Sequence, residues 1–130
     1  MKFLVVSGDP VVREMVAITV RSLRRTRGEP VDLLQAADGV VGSKVALRER
    51  PQAVVLDEIM SRAGAFSVAQ DLRGAQPPSS AVIVILLERR QDEWLARWSG
   101  ADAWFVKPVD PFALGDTLSR LLGGLTKEAV

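Results

Sequence analysis

The chain contains no cysteine, no histidine and no tyrosine. Without cysteine there is no disulfide framework, no thiol nucleophile and no cysteine-ligated zinc or iron–sulfur centre. Without histidine, Ser-His-Asp hydrolysis, imidazole-ligated metals and histidine general-base chemistry are excluded as well. Chemistry is left to carboxylates, lysine, hydroxyls and the backbone, with a hard cation held by oxygens as the remaining metal option. No apolar run approaches the ~20 residues that span a bilayer. The opening MKFLVV enters a strand pattern at once, with too short an apolar stretch for a signal peptide. A cytoplasmic protein without membrane contact is expected.

An excess of charge of one sign is also missing. Lys plus Arg number 17 against 16 Asp plus Glu, for a net charge of +1, which argues against nucleic-acid binding by the domain as a whole. The single basic cluster, Arg21, Arg24, Arg25 and Arg27, falls where a helix is predicted to end, and cations there complement the helix dipole. What the chain does have is 130 residues, 48% of them hydrophobic and 25% charged. That suffices for one core and one domain.

Apolar runs alternate with helical patterns five times. Phe3 to Val6 reads as a strand buried on both faces. Asp9-Pro10 then supplies a helix N-cap followed by proline at the first helical position, for a helix reaching about Arg25. Val31 to Ala36 is a second strand, Asp38-Gly39 a turn, and a helix follows to about Arg50. Ala53 to Leu56 is a third strand running into Asp57-Glu58. After the loop Ser61 to Ala65 comes a helix over Phe66 to Arg73, broken by Gln76-Pro77-Pro78-Ser79. Ala81 to Leu87, the longest apolar run, is expected to be a central strand. Asp92 to Ser99 is helical with Gly100 as its cap, and Ala103 to Val106 is a fifth strand ending at Lys107-Pro108. Asp110-Pro111 repeats the helix-start signature for a last helix to Leu122, which Gly123-Gly124 should end. The domain is therefore assigned to residues 1–122, with 123–130 as a loose tail or the start of a linker. There are no internal repeats.

This alternation specifies an α/β fold: a doubly wound, five-stranded parallel sheet with five helices and right-handed crossovers. In such sheets chemistry lies beyond the carboxyl ends of the strands. The segments to interrogate are Ser7 to Asp9, Asp57 to Met60, Leu86 to Glu88, and Lys107-Pro108. Asp57 and Lys107 form the most suggestive pair, a carboxylate and an ammonium at two strand ends that could meet above the sheet. Alone, such a pair reads equally as a partly buried salt bridge. Lys107-Pro108 feeding directly into Asp110-Pro111 is the more specific signal.

These pieces in their order, KFLVVSGDP, AADG, RERPQAVVLDEIM, AVIVILLE and GADAWFVKPVDPFAL, resemble the receiver domain of two-component response regulators, over residues 2 to about 122. The resemblance implies the flavodoxin-like receiver fold and a role in phosphorelay signalling. It implies that Asp57 is the phosphoacceptor, loaded by a partner histidine kinase, and that Lys107 pairs with the phosphoryl oxygens. Mg²⁺ would be held by an acidic pair after the first strand, by Asp57 and by the backbone carbonyl of Ile59. A hydroxyl ending the fourth strand and an aromatic in the fifth would relay the change. Carboxylate attack on a phosphoryl group brings like charges together, so a cation must neutralise them.

The sequence departs from that pattern at several points, among them Ser61 in place of the usual Pro after Met60 and Gly64-Ala65 in place of an Asp-Gly turn. Ser7 and Gly8 stand where the acidic pair should be, which leaves Asp9, better explained as an N-cap, as a weak stand-in metal ligand. Leu86 stands where Thr or Ser is expected and cannot hydrogen-bond a phosphoryl oxygen. Trp104 is the switch aromatic, larger than the usual Tyr or Phe. Trp94 and Trp98, four apart, share a helix face. With Arg97 and Trp104 they are assigned to a partner or dimer surface of the fourth helix, fifth strand and fifth helix. One of Trp94 and Leu95 should pack inward.

Three readings follow. The first is an atypical receiver, or pseudo-receiver, with little Mg²⁺ affinity. It would act by protein–protein interaction with a histidine kinase, another signalling protein, an output domain or a second copy. The second is a working Mg²⁺-dependent phosphoacceptor on Asp57, with phosphoryl acceptance its only chemistry and no enzymatic turnover. The third, a flavodoxin-like cofactor binder, is poorly served by Ser7-Gly8-Asp9-Pro10 as a phosphate loop.

Overall fold

The computed structural model describes residues 1–129, with side chains described for residues 1–23 and 28–123. Five strands, β1 (Lys2–Val6), β2 (Asp32–Ala36), β3 (Ala53–Asp57), β4 (Val82–Leu87) and β5 (Ala103–Val106), alternate with α1 (Pro10–Arg27), α2 (Gly39–Glu49), α3 (Ala65–Arg73), α4 (Glu93–Trp98) and α5 (Pro111–Ala129). A 3₁₀ turn, Arg90–Asp92, leads into α4. The sheet is parallel in the order β2-β1-β3-β4-β5. This is the doubly wound arrangement that the alternation predicted.

Strand side chains alternate between the two faces. Phe3, Val5, Val55, Val84 and Leu86 pack with Val16 and Val20 of α1 and with Leu114 and Leu118 of α5. Leu4, Val6, Leu56, Ile83, Ile85 and Leu87 pack with Ala46 of α2, with Val68 and Leu72 of α3, and with Ala96 of α4. Helices α1 and α5 thus cover one face, and α2, α3 and α4 the other.

The helix starts obey the capping chemistry. Asp9 Oδ1 accepts from the Val11 N–H at 2.9 Å, Asp38 Oδ1 from Val41 N–H at 2.9 Å, and Asp110 Oδ1 from Phe112 N–H at 2.9 Å. Gly100, at φ +89°, closes the chain after α4 as expected. Arg21 pairs with Glu14 at 3.2 Å; the side chains of Arg24, Arg25 and Arg27 lie outside the described residues.

The fifth helix does not stop at Leu122. It continues through the two glycines to Ala129, so residues 123–129 are helical rather than loose. A helix-ending glycine works by adopting positive φ, and Gly123 does not adopt it. Mid-helix glycine weakens a helix by roughly 1 kcal/mol without terminating it.

Glycine is required where α2 begins. A Cβ at Gly39 would lie 2.1 Å from the Ala63 carbonyl oxygen, and one at Gly42 would lie 2.7 Å from Val6 Cγ1. We expect Gly39→Ala to destabilise the domain by about 1–3 kcal/mol, read from the urea midpoint. Gly123→Ala, whose Cβ would meet nothing within 4 Å, should stabilise it by roughly 0.5–1 kcal/mol. Equal midpoints for the two variants would contradict this packing.

Candidate functional site

The parallel register brings the ends of β1, β3, β4 and β5 to one edge. Asp57 is the last residue of β3, in register with Leu86 of β4, and is only 3% exposed. A buried carboxylate needs partners for both oxygens, and both are supplied. Lys107 Nζ donates to Oδ1 at 2.6 Å, and the Ser7 hydroxyl donates to Oδ2 at 2.7 Å.

Each donor is itself positioned by local structure. Ser7 is buried directly after β1, tied by its N–H to the Ala36 carbonyl at 3.0 Å. Its hydroxyl also accepts from the Asp9 N–H at 3.0 Å, and Arg13 Nη1 donates to its carbonyl at 2.7 Å. Lys107 follows β5, with its N–H donating to the Leu87 carbonyl at 2.9 Å, and the Lys107–Pro108 bond is cis.

Lys107 is shared with a second carboxylate, Glu88. Partial burial alone would pull the Lys107 pKa down; the two carboxylates outweigh that and raise it above the ordinary lysine value. The Glu88 N–H donates to Glu58 Oε1 at 2.9 Å, and the Glu58 N–H donates to the Leu86 carbonyl at 2.9 Å. Burial, and then a hydrogen bond with Asp92, push the Glu58 carboxyl up to about 7. The same bond, with Arg89 Nη2 donating to Asp92 Oδ1 at 3.1 Å, holds Asp92 below the usual carboxylate range.

A cavity of about 460 Å³ opens over Asp57 and Lys107, bordered by Gly8, Asp9, Ile59 and Ser61. Asp57 and Lys107 are thus brought together, and Asp9 and Ile59 border the same cavity. The Asp9 carboxylate turns back onto its own helix, Gly8 offers no side chain, and Ile59 borders the cavity from an exposed loop. Among the described residues there is no group of three acidic or other metal-ligating side chains that could hold an ion. Three carboxylates line the cavity, but Asp57 is bonded at both oxygens, Asp9 caps its own helix and Glu88 is paired with Lys107, so the donor set as arranged does not fit a hard dication.

Leu86 is fully buried in the core shared with α1 and α5 and presents no polar atom to the site. Trp104 is half-buried; its Nε1–H donates to Glu93 Oε2 at 3.3 Å, and the Arg97 guanidinium lies 5.5 Å from its ring centroid. Trp94 and Trp98 are 62% and 60% exposed, while Leu95 between them is half-buried.

Ser7 as a bonding partner of Asp57, and Glu58, Glu88 and Asp92 as a linked acidic set, escaped the sequence reading. Three of the four fall within the strand-end segments marked for scrutiny, which was the available signal. Their partners depend on the β3–β4 register, which no short motif encodes.

No family model matches the chain. Similar proteins are nevertheless plain. The chain is 32% identical over 125 residues to an uncharacterized response regulatory protein of Mycobacterium tuberculosis, covering 94% of this chain and 91% of that one. It is also 32% identical over 124 residues to the response regulator MprA of Mycobacterium leprae, covering 93% of this chain and 49% of the relative. Among solved structures, the chemotaxis response regulator CheY4 of Vibrio cholerae matches with TM-score 0.78 and 26% identity, over 92% of this chain and 96% of that one. The receiver domain of the sensor histidine kinase PA1611 of Pseudomonas aeruginosa, solved with a magnesium ion coordinated in its active-site cleft, matches in fold with TM-score 0.80 and 22% identity, over 94% and 97% of the two chains. The chain belongs to the response regulator family, as a receiver domain of two-component signalling. It spans about half the length of the first curated relatives it matches, 44%, 49% and 50%. No helix among the described residues is long and apolar enough to cross a membrane.

The acidic cluster has a consequence for stability. Because Glu58 is raised in the folded state to about 7, the fold binds a proton that the unfolded chain releases near pH 4.5. The associated stabilisation is complete below the unfolded value and is lost as pH rises through about 7. We expect wild-type stability to fall between pH 5 and pH 8 by on the order of 1 kcal/mol, discounted for the partial exposure of Glu58. Glu58→Gln should flatten that slope in urea titrations; an unaltered slope would refute the assignment.

Proposed function

We propose that this receiver domain works as a protein-interaction module, signalling through the face formed by α4, β5 and α5 with little or no dependence on aspartyl phosphorylation. The observation that carries this reading is the double engagement of Asp57. One oxygen bonds the Ser7 hydroxyl at 2.7 Å and the other the Lys107 ammonium at 2.6 Å, and the neighbouring acid, Glu88, is held by the same lysine. Phosphoryl transfer to a carboxylate requires cationic charge at the attacking oxygens. Here the lysine is already divided between Asp57 and Glu88, and the carboxylate that follows β1, Asp9, is spent on capping α1. Leu86 leaves the readout step without a hydroxyl.

The working surface follows from Trp94, Trp98, Arg97 and Trp104. Exposed tryptophan beside arginine is the composition of interface hot spots. The partner is a signalling protein such as a histidine kinase, an output domain or a second receiver. The domain performs no turnover, acts in the cytoplasm, and contacts neither nucleic acid nor membrane. Residues 1–122 carry the function.

A second reading, a Mg²⁺-dependent phosphoacceptor on Asp57, draws support from the retained Asp57–Lys107 pair and from the open cavity above it. The two readings differ in one measurement. The protein is titrated with beryllofluoride and millimolar Mg²⁺ while tryptophan fluorescence is followed, and acid-labile phosphate is assayed after exposure to a small phosphodonor. We expect no saturable response and no stable phosphate. Saturation abolished by Asp57→Asn would overturn the interaction-module reading and establish the phosphoacceptor.

A further inference from the structure

The ammonium of Lys107 is shared unequally between its two carboxylates. The Asp57 side chain is 4% exposed, whereas Glu88 reaches the same nitrogen from the rim of the cavity and is 35% exposed. The inner bond completes a buried carboxylate that would be costly to leave unpaired. The outer bond answers no such need, since water can hydrate a carboxylate exposed to that extent.

The outer bond is nevertheless built into the sheet. Leu87 lies opposite Val106 in the β4–β5 ladder, and the Lys107 N–H donates to the Leu87 carbonyl at 2.9 Å. The residues that follow on the two strands, Glu88 and Lys107, are thereby brought side by side. The Glu88 backbone is held independently, by its N–H on Glu58 Oε1 at 2.9 Å. A change of the Glu88 side chain therefore leaves its backbone anchored.

That side chain sets the charge of the cavity. Among the described residues, Lys107 is the cation that lines it, against Asp57, Glu88 and Asp9. An anion entering from solvent would need the lysine, and would find it held by one carboxylate from beneath and another from the mouth. With Glu88 neutral, Asp57 and Lys107 would balance each other. An ammonium has three donors, and those not spent on Asp57 would then be available to a ligand.

We infer that Glu88 is the specificity-determining residue of this cavity, an internal anion seated on Lys107 that shuts the site to small oxyanions such as phosphate. The contact is autoinhibitory, because Glu88 and the oxyanion compete for the same N–H donors. Placing a like charge where an unwanted ligand would sit is a general route to specificity. An oxyanion enters only once Glu88 has swung aside, and it is still repelled by that carboxylate nearby.

This inference rests on the reading that the domain works without aspartyl phosphorylation, and it names the side chain that keeps phosphoryl-type ligands out. The test titrates inorganic phosphate into the isotope-labelled whole chain in EDTA, with chloride at equal ionic strength as the control. Nuclear magnetic resonance follows the amides of Gly8, Ile59 and Lys107 and the Lys107 side chain. Wild type is compared with Glu88→Gln, which removes the charge and keeps the side-chain shape. Circular dichroism confirms the fold, and Glu88→Ala replaces the variant should it fail. We expect no saturable shift in wild type. Glu88→Gln should show a saturable, phosphate-specific shift at these positions, at least about tenfold tighter than any wild-type response. Equal responses in the two proteins, no response in either, or shifts that chloride reproduces each overturn the inference and leave the interaction-module reading standing. Acid-labile phosphate on the wild type after exposure to a small phosphodonor defeats both.

Discussion

Parallel strands deliver four chain ends to one edge of the sheet, and in this protein that edge carries more carboxylate than ammonium. Asp57, Glu58, Glu88 and Asp92 converge there, against Lys107 and Arg89. A buried carboxylate without a partner would shed its charge or unfold its surroundings. The arrangement of the edge is governed by how these charges are distributed. Lys107 is the hub because it alone touches two of the carboxylates, and it does so from β5 while they belong to β3 and β4. The bond thereby clamps three strand ends together. Asp57 is then completed by the Ser7 hydroxyl, which adds β1 to the same knot.

From that knot a chain of polar contacts runs to α4. Glu88 is tied through its N–H to Glu58, and Glu58 shares a hydrogen bond with Asp92 at the start of α4. Glu93 of the same helix receives the indole N–H of Trp104, over which Arg97 lies. The edge carboxylates and the tryptophan face are therefore connected by contiguous contacts rather than by proximity alone. Contiguity is not itself coupling. It nevertheless explains how the α4 surface holds a defined position when its helix is only six residues long, too short to be stable on its own propensity.

Much of this was legible beforehand, and the reasons are physical. Short, uninterrupted apolar runs such as Phe3 to Val6 and Ala81 to Leu87 can only be strands covered on both faces, and Asp-Pro at positions 9–10 and 110–111 can hardly be anything but helix starts. Parallel topology alone then puts Asp57 and Lys107 at the same edge. What stayed hidden depends on register and on competition between weak terms. Nothing local says that Leu86 lies opposite Asp57, so the proximity of Glu58 to the Glu88 N–H could not be derived. Gly123-Gly124 read as a helix stop because glycine usually caps, yet a cap needs positive φ, and Gly123 keeps a helical backbone instead. Between Trp94 and Leu95, adjacent on α4 and both apolar, composition cannot choose the inward residue; the helix rotation that buries Ala96 leaves Leu95 half-covered and Trp94 in solvent.

The departures from the family pattern differ in how deeply the fold enforces them. Gly8 is not held there by sterics: a Cβ would stand 3.4 Å from the Ala37 carbonyl oxygen, an ordinary contact, and its φ is not in the left-handed region. A side chain at that position would therefore be compatible with this backbone at its Cβ. Ser7 is intermediate. It is fully buried and its hydroxyl does a specific job for Asp57, and a carboxylate in its place would set two negative charges against each other unless a cation came with it. Leu86 is the most entrenched, a wholly buried side chain in the core that joins β4 to α1 and α5, where a smaller hydroxyl would leave a cavity and an unpaired polar group. The first position after β1 is thus tied to Asp57 and the second is open to a larger side chain, whereas position 86 is committed to core packing.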